Sequence, residues 1–222
     1  MKLKEIYSKY PVPPNLQEHM MRVAGVAKII SENWMGALLD EDIMLKACLV
    51  HDIGNLLKFD LETKAHFLGK EQSNVDYWKK LKEEMAQKYG ADEHVATASI
   101  CQEINLEPKA LWIVNNWGFG NFDKVLKSEN WEYKICVYSD HRVGPFGIVS
   151  LKERFAEQRK RYQEYTHKSQ DLSAHLSDKS EFLANCAFEV EKQIQEMVSK
   201  DLSAIGNAEV EQGFSYFSEF NF

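Results

Sequence analysis

A histidine and an aspartate, His51 and Asp52, stand side by side at the end of an otherwise apolar stretch of the chain. The segment 46–55 reads Lys-Ala-Cys-Leu-Val-His-Asp-Ile-Gly-Asn. Burying an imidazole and a carboxylate there costs free energy unless something compensates them, and a divalent cation is a natural partner. Because adjacent residues on a helix point about 100° apart, this pair cannot complete a coordination shell alone. We therefore expect further ligands elsewhere in the chain.

Two further candidate ligands, His19 and Asp140, lie in predicted helices. His19 lies at the margin of the apolar face of a helix predicted from Leu16 to Trp34. Considered alone, it could equally be a core-edge histidine whose nitrogens are hydrogen-bonded locally. Asp140 lies near the end of a helix predicted from Glu129 to Val143. Three helices therefore carry residue types that bind divalent metals.

Hydrophobic periodicity predicts helices along most of the chain and no convincing set of alternating strands. Helices are predicted over about 16–34 (with Asn15 as N-cap), 42–57, 76–89, 92–105, 109–117, 129–143 and 150–167, with a last one after a polar linker at 168–179. The least regular stretch, 58–78, is typical of a lid or binding loop. The sequence predicts an all-α fold, with a single helical bundle over 1–167. A C-terminal helix and an aromatic tail over 168–222 are expected to pack on this domain or on a partner.

The composition limits the classes of partner. The chain has 222 residues and a formal net charge of −7, which argues against general binding to nucleic-acid polymers or membrane surfaces. Apolar runs are too short for a membrane span, and the first residues have no apolar signal core, so we expect no export signal. The four cysteines are far apart in apolar helical patterns, which favours reduced, buried thiols over a disulfide pair. We therefore expect a cytoplasmic protein.

The order of these residues resembles the HD superfamily of metal-dependent phosphohydrolases. His-Asp-Ile-Gly at 51–54 is the HDIG form of the central motif of that family, and the run Glu-His-Met-Met-Arg-Val around His19 precedes an apolar helix as the first family histidine does. Asp140, followed by Arg142, resembles the final aspartate helix, and the segment around Arg154 resembles the family segment that comes after this helix. The resemblance implies an HD-like helical bundle.

The resemblance, which covers about residues 15–160, also implies a ligand set and a reaction. One divalent ion (Mn, Co, Ni, Zn, Fe or Mg) would be held by His19, His51, Asp52 and Asp140. Such an ion lowers the pKa of bound water and polarises a phosphoryl oxygen. Asp52 would also orient the attacking water. Arg142 would contact the substrate phosphate, and the alternative for it is a surface arginine stabilised by a helix dipole.

The sequence departs from the pattern of family members that bind two metals. His94 stands where the first additional histidine of such members would fall, but a later His-His pair is replaced by Asn115-Asn116. Asparagine is a poor ligand for a transition metal, so we expect one ion. His94 is then a phosphate contact, a proton donor or a structural histidine.

The leading hypothesis is a hydrolase of a nucleotide or another small phosphate ester, with no nucleic-acid polymer or membrane as partner. One alternative is an HD enzyme with a di-iron site that activates oxygen, and another is a non-catalytic module that binds a metal or a nucleotide. We expect specificity to come from residues 58–78 and Trp112–Phe122. A homodimer is compatible with the sequence.

Overall fold

A computed structural model describes residues 1–166 and 170–222, with the side chains of these residues other than Phe67, 161–166 and 170–177. The α-helices are α1 (Leu3–Lys9), α2 (Pro14–Glu32), α3 (Glu41–Val50), α4 (Val75–Tyr89), α5 (Glu93–Glu103), α6 (Pro108–Asn115), α7 (Phe122–Lys127), α8 (Trp131–His141), α9 (Leu151–Thr166), α10 (Gln170–Glu196), α11 (Asn207–Glu211) and α12 (Phe214–Ser218). Two-residue strands β1 (Val143–Gly144) and β2 (Gly147–Ile148) form an antiparallel hairpin. The prediction of an all-α fold is confirmed.

Helix α2 lies at the centre of the bundle. It packs on α3 and α8, and its other side is covered by α11 and α12. Helix α10 lies against α7 and α8, while α6 packs on α3. The face of α2 that Met20, Val23, Ala27 and Ile30 form is buried, as their spacing of three and four residues predicts. The helices that carry the three candidate ligand segments are therefore packed directly against one another.

The beginning of α2 differs from the prediction. Pro13 is the N-cap and Pro14 the first helical residue, so Asn15 lies inside the helix rather than capping it. A proline fits this position because the first helical N–H has no partner within the helix. The helix therefore begins before Leu16, and His19 lies in its second turn.

The end of α3 also differs from the prediction, since the helix stops at Val50 rather than near Leu57. The chain tightens into a turn, with Ile53 N–H donating to the Val50 carbonyl, before a short 3-10 helix at Asn55–Lys58. At Gly54 a Cβ atom would lie 2.7 Å from the Glu93 carbonyl oxygen, so only glycine lets α5 approach this closely. The His-Asp pair is thus held in a turn rather than inside a helix.

Several other segments depart from the predicted elements. The stretch 58–78 contains a 3-10 helix at Ala65–Asn74, kinked at Gly69, and the short helix α7 was not predicted. The polar linker predicted at 168–179 is wrong from Gln170 onward, because α10 already begins there. That stretch has no glycine or proline to interrupt a helix. Residues 168 and 169 lie outside the described part of the chain.

The aromatic tail packs on α1 and α2. Phe217 is fully buried, and the Leu3 N–H donates to the Phe220 carbonyl oxygen at 2.9 Å. One hydrophobic core includes buried side chains from both Leu3 and Phe220. A division into two units near residue 167 stays a prediction.

Two further observations bear on the sequence analysis. All four cysteines are free and buried. Within the described ranges, no helix combines the length and the apolar character that crossing a membrane requires.

Truncating Phe217 should measure how much the tail contributes to the fold. We expect Phe217→Ala to lower the free energy of unfolding by about 3–5 kcal/mol, because the ring is fully buried. Tyr216→Ala is the matched control, since this neighbour is 48% exposed and should cost less than about 1 kcal/mol. Urea denaturation of the two variants measures both effects. Equal midpoints would contradict a structural role for the tail.

Candidate metal centre

Three side chains from distant parts of the chain converge at one point. His19 comes from α2, His51 follows α3, and Asp140 lies in the last turn of α8. One potential ligand atom from each lies within 4.8 Å of the other two. Nε2 of His19 lies 3.1 Å from Oδ1 of Asp140, and Nε2 of His51 lies 3.7 Å from the same oxygen. Two imidazole nitrogens and a carboxylate oxygen are a donor set that suits a borderline divalent cation.

Asp52 lies beside this group. Its Oδ2 atom is 3.7 Å from Nε2 of both His19 and His51. Its side chain is 26% exposed, whereas that of His51 is fully buried. All four predicted ligands are therefore brought together, with Asp52 on the more open side.

The backbone fixes how His51 faces the other ligands. Its Nδ1 lies 2.8 Å from the Cys48 carbonyl oxygen, which can only accept a hydrogen bond, so Nδ1 carries the proton. In the neutral imidazole, Nε2 then faces the group with a lone pair, and it is buried with no hydrogen-bond partner among the described residues. A buried polar atom without a partner is rare and costly. A cation at this point would satisfy it, so the residues present fit a metal ion.

Burial and charge act in opposite directions on the two most buried ligands. Burial lowers the pKa of the His51 imidazole, but attraction to the carboxylates of Asp52 and Asp140 outweighs burial and raises that pKa to about 9. Burial raises the pKa of Asp140, but the imidazoles of His19 and His51 hold it well below its usual range. Without a cation, His51 therefore keeps a proton where a metal ion would bind.

Trp117 contacts two of the ligands, and the sequence analysis did not single it out. Its Nε1–H donates to Oδ2 of Asp140 at 3.2 Å. Its ring stacks on the His51 imidazole with centroids 4.3 Å apart and an interplanar angle of 15°. The segment Trp112–Phe122 had been proposed for specificity, but nothing in its pattern indicated this residue.

His94 is not brought into the ligand group. It is the second residue of α5, where its backbone N–H donates to the Asp92 side chain. Its side chain is 80% exposed, and its Nε2 lies 3.8 Å from Oε1 of Glu93. The described contacts of His94 include none with the ligands, and its predicted role in catalysis stays a prediction.

Arg142, which the sequence analysis assigns to the substrate phosphate, is hydrogen-bonded within the protein, and its contact with phosphate stays a prediction. Its side chain is buried, and Nε donates to the Val149 carbonyl oxygen at 2.6 Å. Nη1 donates to the Tyr138 hydroxyl and to the Leu202 carbonyl oxygen. The guanidinium therefore joins the end of α8 to the segment after the hairpin and to the C-terminal segment.

Comparison with known proteins agrees with this geometry. Residues 16–108 match the family model of the HD domain. This segment of the chain is therefore similar to an HD domain. The matched segment includes His19, His51 and Asp52 but ends before Asp140, so Asp140 is assigned by its position in the structure. No curated protein and no solved structure matches the chain. HD domains bind divalent metals, as the ligand group here suggests.

The affinity for a cation should depend on pH through His51. A cation must displace the proton from Nε2, whose pKa is about 9 in the cation-free site. We therefore expect the affinity for Mn²⁺ to rise by up to about tenfold per pH unit below pH 9 and to level off above it. Calorimetry in buffers of different ionisation heat should detect about one proton released per ion near pH 7. His94→Ala should keep this profile, whereas an affinity that does not change between pH 7 and 9 would contradict it.

Arg142 should affect stability rather than metal binding. We expect Arg142→Lys to lower the free energy of unfolding by about 2–4 kcal/mol, because an ammonium cannot reproduce the three hydrogen bonds of the guanidinium. Arg159→Lys, at an exposed arginine of α9, should change it by less than about 0.5 kcal/mol. Thermal melting and elemental analysis check this prediction. A stable variant that has lost the metal would refute it.

Proposed function

We propose that the protein is a metal-dependent hydrolase that cleaves a phosphate ester of a small molecule, with a nucleotide as the first candidate substrate. The observation that carries the proposal is the buried Nε2 of His51, which has no hydrogen-bond partner among the residues that the structure describes and faces His19 and Asp140. Similarity to the HD domain, whose superfamily consists mostly of hydrolases, supports the reaction class.

The four candidate ligands have two roles, which are to bind the ion and to accept a proton. His19, His51 and Asp140 would hold one divalent cation, with Asp52 as a fourth ligand. When bound, the cation supplies Lewis acidity toward the phosphoryl oxygen and lowers the pKa of a water molecule. Asp52 has a second carboxylate oxygen and a partly exposed side chain, so it is placed to accept a proton from a water that approaches from solvent.

The region around Asn115 and Asn116 supports a single ion. Among the described residues, His19, His51 and Asp140 form the one group of three potential ligands that converge. The Asn116 side-chain amide donates to the Trp112 carbonyl oxygen, and Asn115 is exposed. Asn116 therefore stabilises the end of α6, and Asn115 faces solvent. We accordingly propose hydrolysis rather than oxygen activation at a di-iron site.

The acidic character of the chain is compatible with an anionic substrate. A formal net charge of −7 repels phosphate at a distance, and the cation supplies the local positive charge that a phosphate group needs. The proposal therefore concerns small phosphate esters, for which one local charge is sufficient, rather than nucleic-acid polymers. Whether the protein acts as a homodimer stays a prediction.

The decisive experiment combines elemental analysis with a panel of substrates. Protein purified without a chelator should contain about one divalent ion per chain. It should release phosphate from at least one of a set of nucleoside monophosphates and simple phosphate esters when Mn²⁺, Co²⁺ or Mg²⁺ is added. We expect Asp52→Asn to lower kcat by at least about 100-fold, because the group that accepts the proton is lost.

The control is Asp201→Asn, which removes an exposed carboxylate at the start of a 3-10 helix and should leave kcat unchanged. Full activity in Asp52→Asn would contradict the assigned role. Wild-type protein that binds no ion under any loading condition would overturn the proposed function itself.

A further inference from the structure

Trp117 is the one aromatic residue described here that contacts two ligands at once. Its indole Nε1–H donates to Oδ2 of Asp140 at 3.2 Å, and its ring lies parallel to the His51 imidazole at 4.3 Å. Stacking limits the rotation of the imidazole plane, while the Cys48 carbonyl fixes its tautomer. Trp117 thus restricts the orientation of two side chains that come from different helices.

The two carboxylate oxygens of Asp140 have different partners. Oδ1 faces Nε2 of His19 at 3.1 Å, where a cation would be shared. Oδ2 faces the indole N–H, which is a donor with no lone pair. A cation at Oδ2 would have to displace this N–H, and Nδ1 of His141 lies 3.8 Å from the same oxygen. The arrangement therefore favours one oxygen of Asp140 as a ligand and disfavours a bridging carboxylate.

The loop that carries Trp117 is itself held in place. The backbone N–H of Trp117 donates to the Val114 carbonyl oxygen, and this hydrogen bond extends the end of α6. The Tyr133 hydroxyl donates to the Asn116 carbonyl oxygen at 2.8 Å and ties the loop to α8. Gly118 follows with a φ of 121°, a conformation that side chains other than glycine rarely adopt. The indole is therefore presented by a fixed backbone, as a positioning role requires.

From these contacts we infer that Trp117 is a positioning residue: it fixes Asp140 as a ligand through Oδ1 alone, aligns His51 by stacking, and restricts the centre to a single cation. This inference rests on the proposed function, since it takes the group around Asp140 to be a metal site. It adds a determinant of metal number that lies outside the HD motif and comes from the corner between α6 and α7.

The test uses Co²⁺ as the probe and three forms of the full chain. Trp117→Phe keeps an aromatic ring over His51 but removes the N–H donor. Trp112→Phe is the matched control, because that tryptophan is 47% exposed on α6 and its ring contacts Tyr133 instead of the ligands. Equilibrium dialysis gives the affinity and the number of ions bound, and the visible absorption of bound Co²⁺ reports its coordination. Circular dichroism verifies that each variant is folded.

We expect Trp117→Phe to bind Co²⁺ about tenfold more weakly than wild type, the lower end of the range for residues that orient metal ligands. Its Co²⁺ absorption bands should shift as Oδ2 becomes available, and a second, weaker ion should be detected at high Co²⁺ concentration. Trp112→Phe should match wild type in all three measurements. An unchanged affinity and spectrum in Trp117→Phe would overturn the inference and leave the metal site intact.

Two other outcomes are separated by the same experiment. If wild type binds no Co²⁺, the proposed function fails, and the inference fails with it. If Trp117→Phe does not fold, Trp117→Gln takes its place, because a glutamine amide keeps an N–H donor near Oδ2. Trp117→Gln should then still bind a single ion, but more weakly than wild type because the ring over His51 is lost, and a second bound ion would overturn the role assigned to the donor.

Discussion

A buried imidazole nitrogen loses its hydrogen bonds to water on folding, and within the described part of the chain no group replaces them at Nε2 of His51. Leaving such an atom without a partner costs about 1–3 kcal/mol. The surroundings also favour a positive charge at this atom, since two carboxylates lie close enough to raise the pKa of the imidazole to about 9. The folded chain therefore presents a site that requires either a proton or a metal ion. The rest of the structure determines which groups share that site and how rigidly they are held.

His51 and Asp140 owe their orientation to residues that are not themselves ligands. The Cys48 carbonyl fixes the tautomer of His51, and the close contact of Gly54 with α5 fixes the turn that follows the His-Asp pair. On α8, the indole of Trp117 fixes Asp140, while Arg142 anchors the end of the same helix to the segment after the hairpin. Supporting groups of this kind often affect metal affinity nearly as strongly as the ligands. The HD motif is thus only part of what defines the centre.

The fold class and the four candidate ligands could be predicted from the sequence, because helical periodicity and a short motif indicate them. The fold class and the convergence of His19, His51, Asp52 and Asp140 required only helices in the correct order and a family pattern. The burial of Arg142 could not be predicted in this way, because two of its partners, Val149 and Leu202, lie outside its helix.

The role of Trp117 and the end of α3 depend on tertiary contacts, and the start of α10 depends on the absence of helix-breaking residues. The role of Trp117 follows from where the corner after α6 meets α8, and no local pattern encodes that position. The end of α3 at Val50 follows from the approach of α5 to Gly54, a contact between segments far apart in sequence. The start of α10 was missed because a polar composition was interpreted as a linker, although no glycine or proline interrupts it.

The pairing of residues 1–2 with residues 221–222 has a consequence for the order of folding. Lys2 and Asn221 form an isolated β-bridge, and the Phe222 N–H donates to the Met1 carbonyl oxygen. Helix α2, which carries His19, is covered by α11 and α12 from the last part of the sequence. Contacts of such large sequence separation form slowly and only after the intervening chain exists. During synthesis, the surface of α2 beneath α11 and α12 must therefore stay uncovered until residues 207–218 emerge, and the nascent chain is vulnerable to aggregation in that interval.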